Sequence, residues 1–243
     1  MKAFILAAGH GTRLRPLTDS IPKCLVPIRG VPLLEIWLDL CRTSGIDEVL
    51  VNVHSHAEQV SRFLTSHDRP PFVTVVQEPT LLGSAGTLIA NQAWVQGESF
   101  FWVFYGDVLT NMDLTPMLRL HLARKPVATL GIYHVQDPSR CGVVELDEDG
   151  TVNRFVEKPT NPPSKLAFAG VMLGSQAMLE VVSDDRPADI GFDVLPQLAR
   201  RAVAYPIDDY LMDIGTIENY EQAQKTWPGL KGMSPPHVQR NRI

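Results

Sequence analysis

Short, continuously apolar runs alternate with longer amphipathic stretches along the first half of the chain. Residues 3–8 form one such run, closed by Gly9, as a strand buried on both faces reads. Pro32 stands where a helix can begin. Leu33, Leu34, Trp37, Leu38 and Cys41 then mark one helical stripe, and Gly45 is a natural stop. EVLVNV (48–53) predicts a strand, and Val60, Phe63 and Leu64 mark one side of the helix after it. FVTVVQ (72–77) predicts another strand, a glycine-containing turn leads into a helix over 87–94, and FFWVFY (100–105) is a fourth strand stopping at Gly106 and Asp107. Strands alternating with helices imply parallel pairing with right-handed crossovers, which is an open three-layer α/β sheet.

The second half has a different rhythm. Residues 143–158 are two strands about a DEDG turn. YLMDIG (210–215) predicts a strand that delivers Asp213 to its tip, with a helix over 218–226. From Trp227 onward the chain is polar, basic and contains Pro and Gly, which predicts a loose tail over 227–243. With no repeat and no low-complexity linker, the pattern predicts one α/β domain over 1–226. Its sheet is Rossmann-like, mixed but mostly parallel, flanked by helices and carrying a small β-rich insertion.

Composition changes this picture in two respects. The 243 residues are 44% hydrophobic and 20% charged, a globular balance. The formal net charge of -5 argues against a nucleic-acid partner, yet the first 25 residues hold four Lys or Arg against one acid, Asp19. A basic spot in an acidic chain suits a small anionic substrate. Cys24, Cys41 and Cys141 are too widely spaced for a C-x-x-C, so they read as reduced thiols of a cytoplasmic protein with neither disulfide nor zinc. No apolar run has the length that spans a bilayer, and no membrane partner is expected.

The basic spot coincides with the loop AAGHGTRLRPLT (7–18) and the following Pro22 and Lys23. Gly9 and Gly11 lack a Cβ, so the backbone can turn its N–H groups toward an anion, and Arg13 and Lys23 can add fixed positive charge. Ligands of open parallel sheets collect outside the carboxyl ends of the strands, where this loop and Asp107 both lie. The G-x-x-x-x-G-K-[ST] pattern is absent and GHGTRL lacks the third glycine of G-x-G-x-x-G, which disfavours a P-loop ATPase, a kinase or a dehydrogenase. The loop alone leaves phosphate binding and a structural turn equally open. A single strand-end aspartate more often caps a turn than holds a metal. Two of them, Asp107 and Asp213, near a phosphate loop match Mg²⁺ held by carboxylates and phosphate oxygens.

AAGHGTRLRPLT…IPKCLVPI resembles the signature of the sugar-1-phosphate nucleotidyltransferases, the nucleoside-diphosphate-sugar pyrophosphorylases. LLGSAGTL (81–88), YGDVLTNMDL (105–114), DPSRCGVVELDEDGTVNRFVEKP (137–159) and DYLMDIGTIENY (209–220) follow in the family's order, most like its GDP-mannose pyrophosphorylase group. The resemblance implies transfer of NMP from an NTP to a sugar 1-phosphate with release of pyrophosphate. Mannose-1-phosphate guanylyltransferase is the reading it suggests first. Uridylyl, thymidylyl or cytidylyl transfer to another hexose, a heptose or an N-acetylhexosamine 1-phosphate is the alternative, and a silent sugar-nucleotide-binding relative is an alternative of another class.

Carried over residue by residue, the resemblance implies that Ala8, Gly9, Gly11 and Thr12 line the nucleotide phosphates and that Arg13 stabilises the leaving pyrophosphate. Lys23 lies over the α-phosphate, and Gln77, Glu78, Gly83 and Gly86 fall in the region that reads the base. Asp107 and Asp213 hold Mg²⁺, while Gly142, Glu157, Lys158 and Gly170 line a sugar-phosphate pocket. It also implies a nucleotide part over about 1–135, a sugar-phosphate part over 136–226, a monomer or homodimer, and no left-handed β-helix domain. Three positions depart from the family pattern: Tyr105 in place of Asn before Gly-Asp, Cys24 in place of Pro after Lys23, and Phe168 in place of Asn before Ala-Gly.

Overall fold

A computed structural model describes residues 1–65, 71–182 and 187–232 of the chain. The first part runs β1 (Lys2–Leu6), the short pair β2 (Pro27–Ile28) and β3 (Val31–Pro32), α1 (Leu33–Thr43), β4 (Glu48–Val53) and α2 (Ala57–Leu64). Next come β5 (Phe72–Gln77), α3 (Ser84–Ala90), β6 (Phe101–Tyr105), β7 (Val108–Thr110) and α4 (Leu114–Arg124). The chain continues through β8 (Ala128–His134), β9 (Gly142–Leu146), β10 (Val152–Glu157), β11 (Leu166–Gly174) and α5 (Gln176–Leu179). It closes with β12 (Ala202–Pro206), β13 (Leu211–Asp213) and α6 (Ile217–Thr226).

One nine-stranded mixed sheet carries the fold. β6, β1, β4 and β5 lie side by side and parallel, the arrangement expected of alternating strands and helices. On the far side of β6 the sheet turns antiparallel: β11 pairs β6 through 171–174, meets β9 at Ala167 and pairs β8, which β12 joins in parallel. β9 and β10 form the hairpin expected about the DEDG turn, with Gly150 at φ +81°.

The period of two along each central strand builds two cores on opposite sheet faces. Ala3, Ile5, Val49, Val51, Trp102 and Phe104 join the α1 stripe on one face, where Trp37 stacks on Phe104 with centroids 4.6 Å apart. Phe4, Leu50, Phe101 and Val103 pack on the other face with α3 and the Ile190–Leu198 turns. These two layers around a sheet are the three-layer arrangement that the pattern predicts. Among the described residues, no helix is long and apolar enough to cross a membrane.

Two expectations need correction. The helix expected over 87–94 starts three residues earlier, at Ser84. Gly83 (φ +80°, ψ 164°) swings the chain into it, and a separate 3-10 turn covers Gln92–Val95. The start of the expected loose tail is held on the domain: Trp227 is buried against Tyr210 with centroids 5.2 Å apart, and Gly229 O accepts from Asn111 Nδ2 at 3.0 Å. Lys231 adds an ion pair to Asp209. One buried indole outweighs the polar composition around it. Residues 233–243 of that tail lie outside the described residues.

Candidate active site

The loops after β1 and β6 meet at the carboxyl edge of the sheet, because Gly106 N donates to Leu6 O at 2.9 Å. A cleft of about 480 Å³ opens there. Ala8, Gly9, Gly11, Thr12, Arg13 and Lys23 line one wall, and Glu78, Gly83, Ser84, Tyr105, Asp107 and Gly215 line the rest. The glycine loop turns at Gly11, which sits at φ +63°. A Cβ there would press on Thr18 Cγ2 at 3.0 Å. Thr18 Oγ1 donates to Gly11 O at 2.7 Å, and Leu14 N donates to the same oxygen at 2.9 Å. Gly9 is different: nothing lies within 4 Å of its missing Cβ, so its openness faces the cleft.

A buried polar network holds this loop from below. Asn52 Oδ1 accepts from Ala7 N at 2.7 Å, while Asn52 Nδ2 donates to Glu78 Oε1 and to Thr87 Oγ1, each at 2.9 Å. Thr87 Oγ1 donates to Glu78 Oε1 at 2.5 Å, and Glu78 Oε2 accepts from Leu82 N at 3.2 Å. Each polar atom is satisfied, as burial demands. Glu78 therefore lines the cleft but spends its carboxylate on the protein. Neither Asn52 nor Thr87 is suggested by the loop signature. The usable signal was an asparagine inside an apolar strand.

Asp107 and Asp213 come together across a short antiparallel pair. β7 and β13 align Val108 with Asp213, and Ile214 N donates to Asp107 O at 2.8 Å. Lys23 Nζ reaches Asp107 Oδ2 at 2.6 Å, with its side chain only 11% exposed. Burial, then the charge of Asp107, pushes the Asp213 carboxyl above its usual range, against the pull of Lys23, Arg13 and Arg140. Asp213 Oδ1 is buried without a hydrogen-bond partner. A Cβ on Gly215 would stand 2.6 Å from that oxygen and 3.0 Å from an Arg13 guanidinium nitrogen, so Gly215 keeps the space between them open. Cys24 lines the same cleft, but burial pushes its thiol up to about 12 and leaves it inert at neutral pH.

Other expected site residues gather beside the cleft rather than in it. Glu157 closes β10 with its carboxylate against two glycines: a Cβ on Gly142 or on Gly191 would stand 2.5 Å from its Oε2. Burial raises the Glu157 carboxyl, Lys158 opposes the rise and Asp189 adds to it. Lys158 Nζ is 3.4 Å from Glu157 Oε1 and 5.3 Å from the Phe192 ring centroid. Burial raises the Cys141 thiol, a hydrogen bond with Tyr133 opposes the rise, and the charges of Asp213 and Glu157 add to it. Gly170 (φ +71°) backs Tyr105 instead of facing the cleft; its Cβ would lie 2.9 Å from Tyr105 Cβ.

Gln77 is exposed at the end of the edge strand β5 and outside the cleft. Gly86 is buried within α3, its N–H donating to Ala188 O at 3.1 Å. Ser84, Asp189 and Gly215 were not foreseen. Asp189 is joined to Ser84 across 105 residues, a contact that spacing along the chain cannot reveal.

Comparison with known proteins adds a separate line of observation. Residues 2–228 match the nucleotidyl transferase family. The chain is 33% identical over 99% of its length to a probable mannose-1-phosphate guanylyltransferase 2 of Arabidopsis thaliana, spanning 71% of that protein. It is also 33% identical over 92% of its length to a UTP–glucose-1-phosphate uridylyltransferase of Synechocystis, spanning 62% of that protein. Among solved structures, HddC from Yersinia pseudotuberculosis complexed with GMP-PN is 25% identical with a TM-score of 0.78, the match covering 93% of this chain and 99% of that one. A UDP-glucose pyrophosphorylase complexed with UDP-glucose shares the fold at a TM-score of 0.81 and 24% identity, over 93% of this chain and 97% of that one.

Proposed function

The chain belongs to the nucleotidyl transferase family, with sugar-1-phosphate nucleotidyltransferases among its relatives, and on that premise we propose that it transfers NMP from an NTP to a sugar 1-phosphate. The observation that carries the reading is the unpartnered, buried Asp213 Oδ1, beside Asp107 and facing Lys23 and Arg13. Two carboxylates repelling one another in a buried spot fit a divalent cation, and phosphate oxygens would complete its shell. Among the described residues no three His, Cys, Asp or Glu side chains cluster as a metal site. Asp107 and Asp213 would hold Mg²⁺, which neutralises phosphate charge when bound.

In the reaction, a phosphate oxygen of the sugar 1-phosphate attacks the α-phosphorus of the NTP. The new P–O bond forms in line with the breaking bond to pyrophosphate, which leaves with the electron pair. The attacking oxygen is already ionised, so no general base is needed, and catalysis is positioning plus charge neutralisation. Ala8, Gly9, Gly11 and Thr12 cradle the triphosphate, and Arg13 takes the charge of the departing pyrophosphate. Lys23 moves from Asp107 to the α-phosphate once the nucleotide enters. Gly83 and its neighbours face the base, and the buried Glu78 supports that wall. Glu157 receives sugar hydroxyls, and Lys158 receives the sugar phosphate at the edge formed by Gly142. Residues 1–135 form the nucleotide part and 136–226 the sugar-phosphate part.

The relatives named above favour GTP with mannose 1-phosphate, and the equal identity to a uridylyltransferase makes UTP with glucose 1-phosphate the second pair to examine. A matrix of pyrophosphate-release assays tests the reading: ATP, GTP, CTP, UTP and dTTP against mannose, glucose, galactose and N-acetylhexosamine 1-phosphates. Release that requires both substrates and a divalent cation is the expected result. No release from any pair overturns it.

A further inference from the structure

Phe192 is 57% exposed, and its ring stands under the Lys158 ammonium with 5.3 Å from nitrogen to centroid. A lone exposed ring needs no explanation. This one is carried by a turn that is tied at every step. Leu195 N donates to Ile190 O five residues back, a wide helical turn of a kind that recurs at functional sites. Asp189 Oδ1 accepts from Gly191 N at 2.8 Å and from Phe192 N at 3.2 Å. Asp189 Oδ2 accepts from Ser84 Oγ at 2.9 Å, and Ser84 Oγ accepts from Ile190 N at 2.7 Å. Asp193 Oδ2 closes the turn by accepting from Asp189 N at 2.6 Å.

Lys158 is held from its own side. Its backbone is left-handed (φ +46°), which is uncommon for a residue with a Cβ, and its N–H donates to Cys141 O at 3.0 Å. Its Nζ lies 3.4 Å from Glu157 Oε1. Glu157 in turn rests on Gly191, the neighbour of Phe192, where a Cβ would stand 2.5 Å from Oε2. One turn thus seats both the carboxylate and the ring that flank the ammonium. A lysine side chain is floppy, with about 2 kcal/mol of rotamer freedom to lose on being fixed. A ring face on one side and a carboxylate on another confine it beforehand, and an ammonium with three donors still has N–H left for a phosphate oxygen.

We propose that Phe192 is a positioning residue for the sugar 1-phosphate: its ring face holds the Lys158 ammonium where the phosphate group arrives. The kinetic side of this inference rests on the reaction proposed above; the contact between ring and ammonium does not. Phe192 is not among the residues that line the cleft, so its loss should spare the NTP.

Phe192→Leu keeps an apolar side chain and removes the π face. The KM for sugar 1-phosphate is expected to rise about threefold, the worth of one exposed cation–π contact, with kcat and the KM for NTP unchanged. Phe192→Trp should match or better the wild type, because an indole is the strongest ring partner of a cation. In a Lys158→Ala background Phe192→Leu should add nothing, since both changes remove one interaction. An unchanged KM in Phe192→Leu, an equal rise for both substrates, a tryptophan variant as poor as leucine, or a full further rise in the Lys158→Ala background overturns the proposal. A second readout needs no turnover: in lysine-labelled protein the ε-CH2 NMR signal of Lys158, identified by its loss in Lys158→Ala, is shielded by the ring. It should move downfield in Phe192→Leu, while that of Lys2, over the Trp94 ring at 5.1 Å, stays in place. Should the wild-type chain release no pyrophosphate from any substrate pair, the reaction fails. An unmoved Lys158 signal then still overturns the inference, and a moved one keeps Phe192 as the residue that places Lys158.

Discussion

The cleft and the side-chain group beside it are built by different means. The cleft, proposed to take the nucleotide, is backbone and buried polarity: a glycine turn braced by Thr18, over a satisfied network of Asn52, Glu78 and Thr87. The neighbouring group, proposed to take the sugar phosphate, is side chains braced across long separations, with Ser84 on Asp189 and Glu157 wedged between Gly142 and Gly191. A cradle of main-chain N–H groups binds phosphate whatever the base or sugar, because every NTP offers the same oxygens. A wall of side chains can be retuned one residue at a time. The difference teaches where chemistry and where choice of substrate reside.

Substitutions can break that division, beginning where the effect is greatest. Asp107→Asn should lower kcat by about 10³-fold, as removal of a group that stabilises transition-state charge does, with the circular dichroism spectrum unchanged. Full divalent-dependent turnover by this variant contradicts the reading. Gly83→Ala and Gly9→Ala separate fold from function within the nucleotide half. The first sets a Cβ 2.2 Å from Ala188 O in a left-handed backbone and should destabilise the protein by about 3 kcal/mol in urea. The second meets nothing within 4 Å, so it should keep the Tm while weakening NTP binding. Equal Tm values for the two would show that the loop is merely structural.

Asn52→Ala leaves Ala7 N without its partner and takes one of three donors from the buried Glu78 carboxylate, and about 2 kcal/mol should be lost in denaturant titration. On the sugar side, Lys158→Ala should raise the KM for sugar 1-phosphate about tenfold and leave that for NTP alone, as loss of one charged hydrogen bond does. An equal effect on both would merge the two halves. The smallest effect concerns pH. The raised Glu157 carboxyl means that the folded chain holds this proton more tightly than the unfolded chain. Its contribution to stability therefore declines as pH rises from the ordinary carboxylate range through the raised folded value. Glu157→Gln removes that decline, so its Tm relative to wild type should climb as pH rises above the ordinary carboxylate range of about 4. A constant difference across the range excludes the buried setting.

Much of this was legible in the sequence. Continuous apolar runs at β1, β4 and β6 predict strands buried on both faces, as the two cores require, and the loop of Gly9, Gly11, Arg13 and Lys23 predicts one wall of the cleft. The meeting of Asp107 with Asp213 was also foreseen, since both end apolar strands. What escaped depends on contacts that spacing cannot encode. Strands β8, β11 and β12 are apolar runs interrupted by small residues or closed by proline, with Gly131, Gly170 and Pro206 among them, which weaken a strand reading. Tyr105 departs from its motif, but its ring partner Phe168 lies in another segment, and the Ser84–Asp189 contact joins two more. Gln77 and Gly86 were drawn toward the base by their neighbourhood in the chain, whereas the end of an edge strand and the interior of α3 turn them elsewhere. Trp227 was hidden by the polar residues that surround it.

The central claim is that Asp107 and Asp213 share one divalent cation with the nucleotide. Crystals grown with Mn²⁺ and a non-hydrolysable NTP analogue test it directly through anomalous scattering. The account predicts a single manganese peak within about 2.3 Å of a carboxylate oxygen from each aspartate and of a phosphate oxygen. A peak remote from either carboxylate, or bound analogue with no metal between the two, contradicts it.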